Sequence, residues 1–205
     1  NLKEFTGDVE TRRLQDTCQM VTINFCPFYV KGYDNKLLSI FAAYVNEDHP
    51  EPEIVRKEGL QKGYINKYYG GNRFEEIEAI WKALTDRGIK YSNITTSANS
   101  QKYKHVFGQF VRLTGDVLKN EQANCADGSV FIASILQKID FDVSLIIVPG
   151  HMFICVDDVI GYGRIYIETT KLGSSVGLLE ALIDADSIDQ IDAEININSA
   201  RNEGI

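Results

Sequence analysis

Three residues in this 205-residue chain have the types and spacing to make a thiol nucleophile. Cys125 lies in Asn-Cys-Ala-Asp-Gly-Ser (124–129), just ahead of a strong helical pattern. His151 lies in Pro-Gly-His-Met-Phe (149–153) after an apolar run, and Glu168 lies in Ile-Glu-Thr-Thr (167–170) at the end of a short strand-like segment. The unpaired N–H groups and dipole of a helix start favour negative charge, so a cysteine there is enriched in thiolate, the nucleophilic form. A nearby imidazole can hold the thiolate as an ion pair and later protonate a leaving amine. A carboxylate beside the imidazole fixes its tautomer and stabilises the imidazolium. Such chemistry also needs oxyanion donors: the backbone N–H of Cys125 is the first, and the side-chain amides of Gln109 and Asn124 are candidates for the second.

The elements that must position these groups follow from apolar periodicity. Val130, Ile132, Ala133, Ile135, Leu136 and Ile139 predict a well-buried helix starting at Ala126. Residues 143–148 are a continuous apolar run, as in a central strand covered on both faces. Residues 151–156 and 164–169 read as two more strands. Alternation puts His151, Phe153 and Cys155 on one face, and Arg164, Tyr166 and Glu168 on one face. Antiparallel pairing through the loop 156–163, with Gly161 and Gly163 as loop residues, then sets His151 opposite Glu168, Phe153 opposite Tyr166 and Cys155 opposite Arg164. Side chains so opposed have Cβ atoms about 5 Å apart, within reach of a histidine–carboxylate hydrogen bond. A slip of two residues would present Tyr166 or Thr170 instead.

Upstream, residues 18–31 alternate as a strand, Gly32-Tyr33-Asp34-Asn35 is a turn signal, and 37–45 is read as a second strand because it follows that turn. Asp48-His49-Pro50 caps a helix ending near Gly59 or Gly63, and Phe74, Ile77, Trp81 and Leu84 form the stripe of a helix closed by Gly88. The polar stretch 92–104 reads as loop, 107–113 as extended, and 115–120 as a short helix. Leu178, Leu179, Leu182 and Ile183 predict a helix in the C-terminal tail. The expected organisation is an N-terminal extension over 1–72 (β hairpin plus helix) packed on a core over 73–205 that ends in a helix.

Composition narrows the partners. An apolar content of 44% supports a substantial core, and a formal charge of −8 without a basic cluster argues against nucleic acid and anionic membrane surfaces. No apolar run approaches the roughly 20 residues of a membrane span. The chain starts at Asn1, so a preceding segment is expected to be absent from it, and the compartment is left open. The cysteines at 18, 26, 125 and 155 form no CxxC pair, which leaves no zinc pattern. Cys18 and Cys26 could pair in an exported protein; two unpaired core cysteines are the simpler reading. Asp184, Asp186, Asp189 and Asp192 lack the glycine of a calcium loop and read as a solvated helical face. No metal or cofactor is implied. Asn93-Ile94-Thr95 is a glycosylation sequon relevant only in a eukaryotic secretory pathway, and His49 and His105 read as structural or surface residues.

In the order and spacing of Asn124-Cys125, Gly150-His151 and Glu168-Thr169-Thr170, 26 and 17 positions apart, the chain resembles the transglutaminase-like superfamily over roughly residues 74–170. The resemblance implies an α+β fold with a papain-like core, a helix carrying the cysteine packed on an antiparallel sheet. It also implies that Cys125 is the nucleophile, His151 the general base and acid, and Glu168 the orienting carboxylate. The chain departs from the family pattern in having glutamate for the usual aspartate, which makes Asp157 or Asp158 a conceivable substitute, and in having Met-Phe after the histidine. The expected activity is acyl transfer through a Cys125 thioester on a peptide or protein substrate, with water favoured over an amine as acceptor. A non-catalytic binding or assembly module on the same fold, and a redox pair of Cys125 with Cys155, are the alternatives.

Overall fold

The computed structural model describes residues 25–31, 36–64, 73–92 and 106–203. Along the chain these form β1 (Phe25–Val30), a 3-10 helix (Leu38–Tyr44), α1 (Pro50–Gln61), α2 (Arg73–Asp86), β2 (Lys90–Tyr91), β3 (Val106–Phe110), α3 (Thr114–Asn120), β4 (Gln122–Ala123), α4 (Cys125–Gln137), β5 (Val143–Val148), β6 (His151–Val159), β7 (Gly163–Ile167), β8 (Leu182–Ile183), β9 (Ala193–Asn196) and α5 (Ile197–Asn202). The protein is α+β, as expected. Five strands make one antiparallel sheet in the order β8-β7-β6-β5-β9. Helix α4 packs against β5 and β6, with α1 and α3 also against it.

Helix α4 is apolar almost all round, and every residue from Ala126 to Leu136 is buried. A helix of that kind has to be covered on several faces. Strand β5 is likewise covered on both faces: Leu145 belongs to the main core with α4, whereas Ile146 packs with Phe153 and Cys155 on the opposite side of the sheet. The stripe Phe74, Ile77, Trp81 and Leu84 on α2 is buried, and Gly88 beyond it has a positive φ of 79°. His49 caps α1, accepting from the Glu51 N–H.

Several expectations are corrected. Residues 38–44 are a 3-10 helix rather than a strand: Leu38, Phe41 and Tyr44 recur every three residues and are all buried, the period of a 3-10 turn. The described partner of β1 is therefore β3, antiparallel, and not a neighbouring hairpin strand. The tail at 178–183 is not a regular helix. Leu178 is buried, Leu179 is 57% exposed, and Leu182 and Ile183 form β8 on the edge of the sheet beside β7. The helix at the C-terminal end lies instead at Ile197–Asn202. Cys18, the 92–104 loop beyond Ser92, the sequon and His105 lie outside the described residues.

The β6–β7 pairing is also slipped by two residues from the expected register. Ile154 faces Ile167, Cys155 faces Tyr166 and Val156 faces Ile165, and an irregularity separates Val156 from Val159. Strand β6 runs on to Val159 before the chain turns, with Asp158 at φ 53° and Gly161 at φ 85°. The turn lying past Val159 rather than at Val156 sets this offset, and the bulge absorbs one extra β6 residue, since three positions of β6 (Val156 to Val159) stand against two of β7 (Ile165 to Gly163).

Two glycines shape the surroundings of the site. Gly150 takes a φ of 76° in the two-residue turn joining β5 to β6, so His151 opens its strand directly opposite Val148. Gly173, at φ 73°, lets the segment after Glu168 lie against β2: a Cβ there would stand 1.9 Å from the Ile89 carbonyl oxygen.

Candidate active site

Cys125 is the first residue of α4 and is partly exposed. Its position is set on both sides. Before it, β4 pairs in parallel with β2, placing Tyr91 beside Ala123, and the Ser92 N–H donates to the Ala123 carbonyl at 2.9 Å. After it, a capping box closes the helix start: the Asn124 carboxamide oxygen accepts from the Asp127 N–H (2.8 Å), and the Asp127 carboxylate accepts from the Asn124 N–H (3.0 Å).

Asp127 does more than cap. It is fully buried, and its carboxylate also accepts from the backbone N–H of Arg112 (2.7 Å) and from Arg112 Nη1 (2.5 Å). This clamps the chain following β3 onto the helix start two residues from the thiol. The sequence reading did not single out Arg112 or the ion-pair role of Asp127. The Asn-x-x-Asp spacing signals a cap, but no local pattern reveals a partner 15 positions upstream in another element.

His151 and Glu168 are brought together: Nε2 of the imidazole lies 2.7 Å from Oε2 of the carboxylate. With the slipped register they are diagonal rather than directly opposite neighbours. Diagonal positions are about 7–8 Å apart between backbones, a gap a glutamate side chain can span. The other carboxylate oxygen of Glu168 accepts from the Thr170 N–H (3.0 Å) and the Thr170 hydroxyl (2.7 Å), so its orientation is held from both ends. Asp157 instead pairs with Arg164 at 3.0 Å, and Asp158 occupies the β6 bulge. Glu168 is thus the carboxylate on the histidine.

The electrostatics follow from these contacts. His151 is raised from 6.5 to about 10, first by interaction with the Cys125 sulfur and then by its hydrogen bond to Glu168, while burial works the other way. With Nε2 engaged by Glu168, Nδ1 is the ring nitrogen left for the sulfur. Burial would raise Glu168, but the hydrogen bonds from His151 and Thr170 outweigh it and hold the carboxyl below its ordinary 4.5. Tyr91, which the sequence reading passed over, lies near enough to feel both: its phenol is raised by burial and then by negative charge at Cys125 and Glu168. Its location follows from the β2–β4 pairing, which a sequence does not display.

Behind the three residues the elements are tied by hydroxyls. Buried Ser129 Oγ, one turn along α4 from Cys125, donates to the Met152 carbonyl (3.3 Å) and lies 3.1 Å from Thr169 Oγ1. One side chain thereby links the cysteine helix to the neighbours of both His151 and Glu168.

The oxyanion candidates separate. Gln109 lines the same pocket as Cys125; its amide donates one N–H to the Phe110 carbonyl (3.0 Å), and an amide carries two such donors. Asn124 is only 5% exposed and its carboxamide oxygen serves the helix start. Cys155 is fully buried on β6 with Ile146 and Phe153, and its sulfur accepts from Arg164 Nε (2.9 Å). Burial pushes that thiol up to about 12, with Arg164 opposing. Asp184 caps a 3-10 turn over 185–187 rather than a helical face, and Asp192 pairs with Lys36 at 2.6 Å. Among the described residues no three His, Cys, Asp or Glu side chains are grouped to hold a metal, and no helix is long and apolar enough to cross a membrane.

Two pockets meet at His151. One, of about 370 Å³, is lined by Cys125, Gln109 and His151 together with apolar residues of the 3-10 helix, β1 and the β5–β6 turn. The other, of about 480 Å³, is lined by His151, Glu168, Phe153 and Ile188. Val148 and Pro149 belong to both.

Comparison with known proteins finds no matching protein-family model and no matching curated protein. Among solved structures, one from Cytophaga hutchinsonii described as a "Putative Cysteine Protease" is similar at 16% identity and a TM-score of 0.41. The match covers 84% of this chain and 60% of the length of that one.

Proposed function

We propose that this chain is a transglutaminase-like thiol enzyme that hydrolyses a peptide or amide bond through a Cys125 thioester. The observation that carries the reading is the position of His151. Its imidazole has its pKa raised first by interaction with Cys125, has Nε2 2.7 Å from the Glu168 carboxylate, and lines the pocket that Cys125 also lines. A binding module gains nothing from a histidine–carboxylate pair beside a thiol at a pocket wall, and the redox alternative needs Cys155, which is buried against Arg164.

In this reading the Cys125 sulfur attacks the substrate carbonyl carbon. The new C–S bond forms as the C–O π electrons move to oxygen, where the Cys125 N–H and the Gln109 amide stabilise them. Collapse of the tetrahedral species breaks the C–N bond, and the amine leaves with the proton of the His151 imidazolium. A water molecule then gives its proton to His151 and attacks the thioester, releasing the acid and regenerating the thiol. Glu168 stays ionised throughout and orients the ring. Water is the favoured acceptor because the His151 side chain is 32% exposed. Residues 73–205 would carry the triad, and the 1–72 extension would supply Phe28, Leu38 and Phe41 to the pocket wall.

The test is the rate of iodoacetamide labelling at each cysteine against pH, read by peptide mass spectrometry. Cys125 is expected to react rapidly down to about pH 5–6, far below the range of an ordinary thiol, with the His151→Ala variant losing that acid-range reactivity. Slow reaction confined above about pH 8 in both proteins would remove the enzyme reading. Amide cleavage with and without an added primary amine then separates hydrolysis from amine transfer; preferential formation of the amine adduct would overturn the choice of water.

A further inference from the structure

We infer that the pocket beside Cys125 receives the side chain of the acyl-donor residue and selects a large apolar one. The inference rests on the thioester reading above. The residue whose carbonyl is attacked has that carbonyl at the Cys125 sulfur, so its side chain must enter space bordered by Cys125 itself. The space of about 370 Å³ falls within the usual range for a small-ligand site. Its walls are Phe28, Leu38 and Phe41 on one side and Ile147, Val148 and Met152 on the other.

Charge is handled in a way that favours an apolar guest. Besides His151, the charged residues among those lining the pocket are Lys36 and Asp192, and they neutralise each other at 2.6 Å. Asp192 is held in place by its N–H bond to the Ile147 carbonyl (2.7 Å), and its side chain is 16% exposed. Lys36, at 49%, is the looser member. A glutamyl or lysyl side chain entering this space would lose water without gaining a counter-charge that is not already paired, which is costly. A leucyl or phenylalanyl side chain would gain burial. The same pair also identifies what enforces the selection, because removing Lys36 leaves the Asp192 carboxylate without its counter-charge, with the neutral Gln190 amide on it at 3.4 Å, and able to accept a basic guest.

The experiment uses N-acetyl-aminoacyl chloromethyl ketones bearing Leu, Phe, Gly, Glu or Lys. In each the Cys125 sulfur displaces chloride from the chloromethyl carbon. Labelling rates are normalised to iodoacetamide for the same protein. The Leu and Phe probes are expected to exceed the Glu and Lys probes by about tenfold or more, the scale on which a pocket discriminates side chains. Lys36→Ala is expected to raise the Lys probe severalfold relative to Leu, while Lys36→Ala combined with Asp192→Asn abolishes that gain. Normal iodoacetamide labelling with a flat probe series overturns the side-chain assignment alone. An unchanged Lys-to-Leu ratio in Lys36→Ala overturns the role of the ion pair. If Cys125 is inert to iodoacetamide, the thioester reading falls and the assignment falls with it.

Discussion

At the scale of single residues, the contact between a glutamate, rather than a shorter carboxylate, and His151 has a geometric reason. Strand β7 is slipped by two residues, so residue 168 is diagonal to His151, and the longer side chain closes the distance to 2.7 Å. An aspartate would fall short by about one C–C bond. Glu168→Asp is therefore expected to behave like Glu168→Gln, each lowering kcat/KM for amide hydrolysis by about 10²-fold or more, the usual contribution of general acid–base catalysis. Retention of near-full activity by Glu168→Asp would show that the ring is oriented by another group. The same pair sets a pH signature on stability. His151 is raised from 6.5 to about 10, so the contribution of its imidazolium is complete below pH 6.5 and is lost as pH rises through about 10. Glu168 is held below 4.5, so its contribution is complete above that value and lost as pH falls. The stability gap between the protein and its His151→Ala variant is accordingly expected to be greatest around pH 5–6 and to shrink toward pH 10 in urea titrations. A gap that widens over that rise would contradict the shifts.

At the scale of elements, the site depends on how few atoms tie α4 to its surroundings. The buried Asp127–Arg112 pair joins the helix start to the chain after β3, and every oxygen of the carboxylate is used. Removing one partner of such a pair leaves a buried charge uncompensated, at a cost of about 3–5 kcal/mol. Asp127→Ala should lower unfolding free energy by that amount, whereas a loss under about 1 kcal/mol would mean that water reaches Arg112 easily. Gly173 tests the approach of β2 to the segment after Glu168. With φ at 73° and the Ile89 carbonyl 1.9 Å from where a Cβ would stand, Gly173→Ala has to push β2 and its Tyr91 away. A drop in melting temperature together with slower Cys125 alkylation is expected; a neutral substitution would show that β2 yields without cost to the site.

At the scale of the whole molecule, one core joins the described segments before residue 72 to those after it. Cys26, Phe41, Tyr44 and Val55 belong to the same buried cluster as α2, α4 and the sheet. The N-terminal segments also reach the candidate site, since Phe28, Lys36, Leu38 and Phe41 line the pocket that Cys125 also lines. Lys36 reaches Asp192, on the far side of the sequence near β9. In the proposed reading the pocket wall would be shared between halves of the chain, with Phe28, Leu38 and Phe41 facing Ile147, Val148 and Met152.

Local order was legible in the sequence because it is encoded over a few residues. The apolar spacing of α4, the continuous apolar run of β5, the Pro-Gly turn before His151 and the stripe of α2 each depend on neighbours in the chain, and each element lies where its pattern places it. The order of cysteine, histidine and glutamate on helix, strand and strand end was legible for the same reason. What only the tertiary structure decided concerns relations between elements. The place of the β6–β7 turn and the bulge beside it set the register, and packing made 38–44 a 3-10 helix and 182–183 an edge strand. The pairing of β2 with β4 brought Tyr91 to the site, and Arg112 found Asp127 across two elements. These outcomes turn on which surfaces meet and on one or two residues of slack in a turn, and neither leaves a periodic trace along the chain.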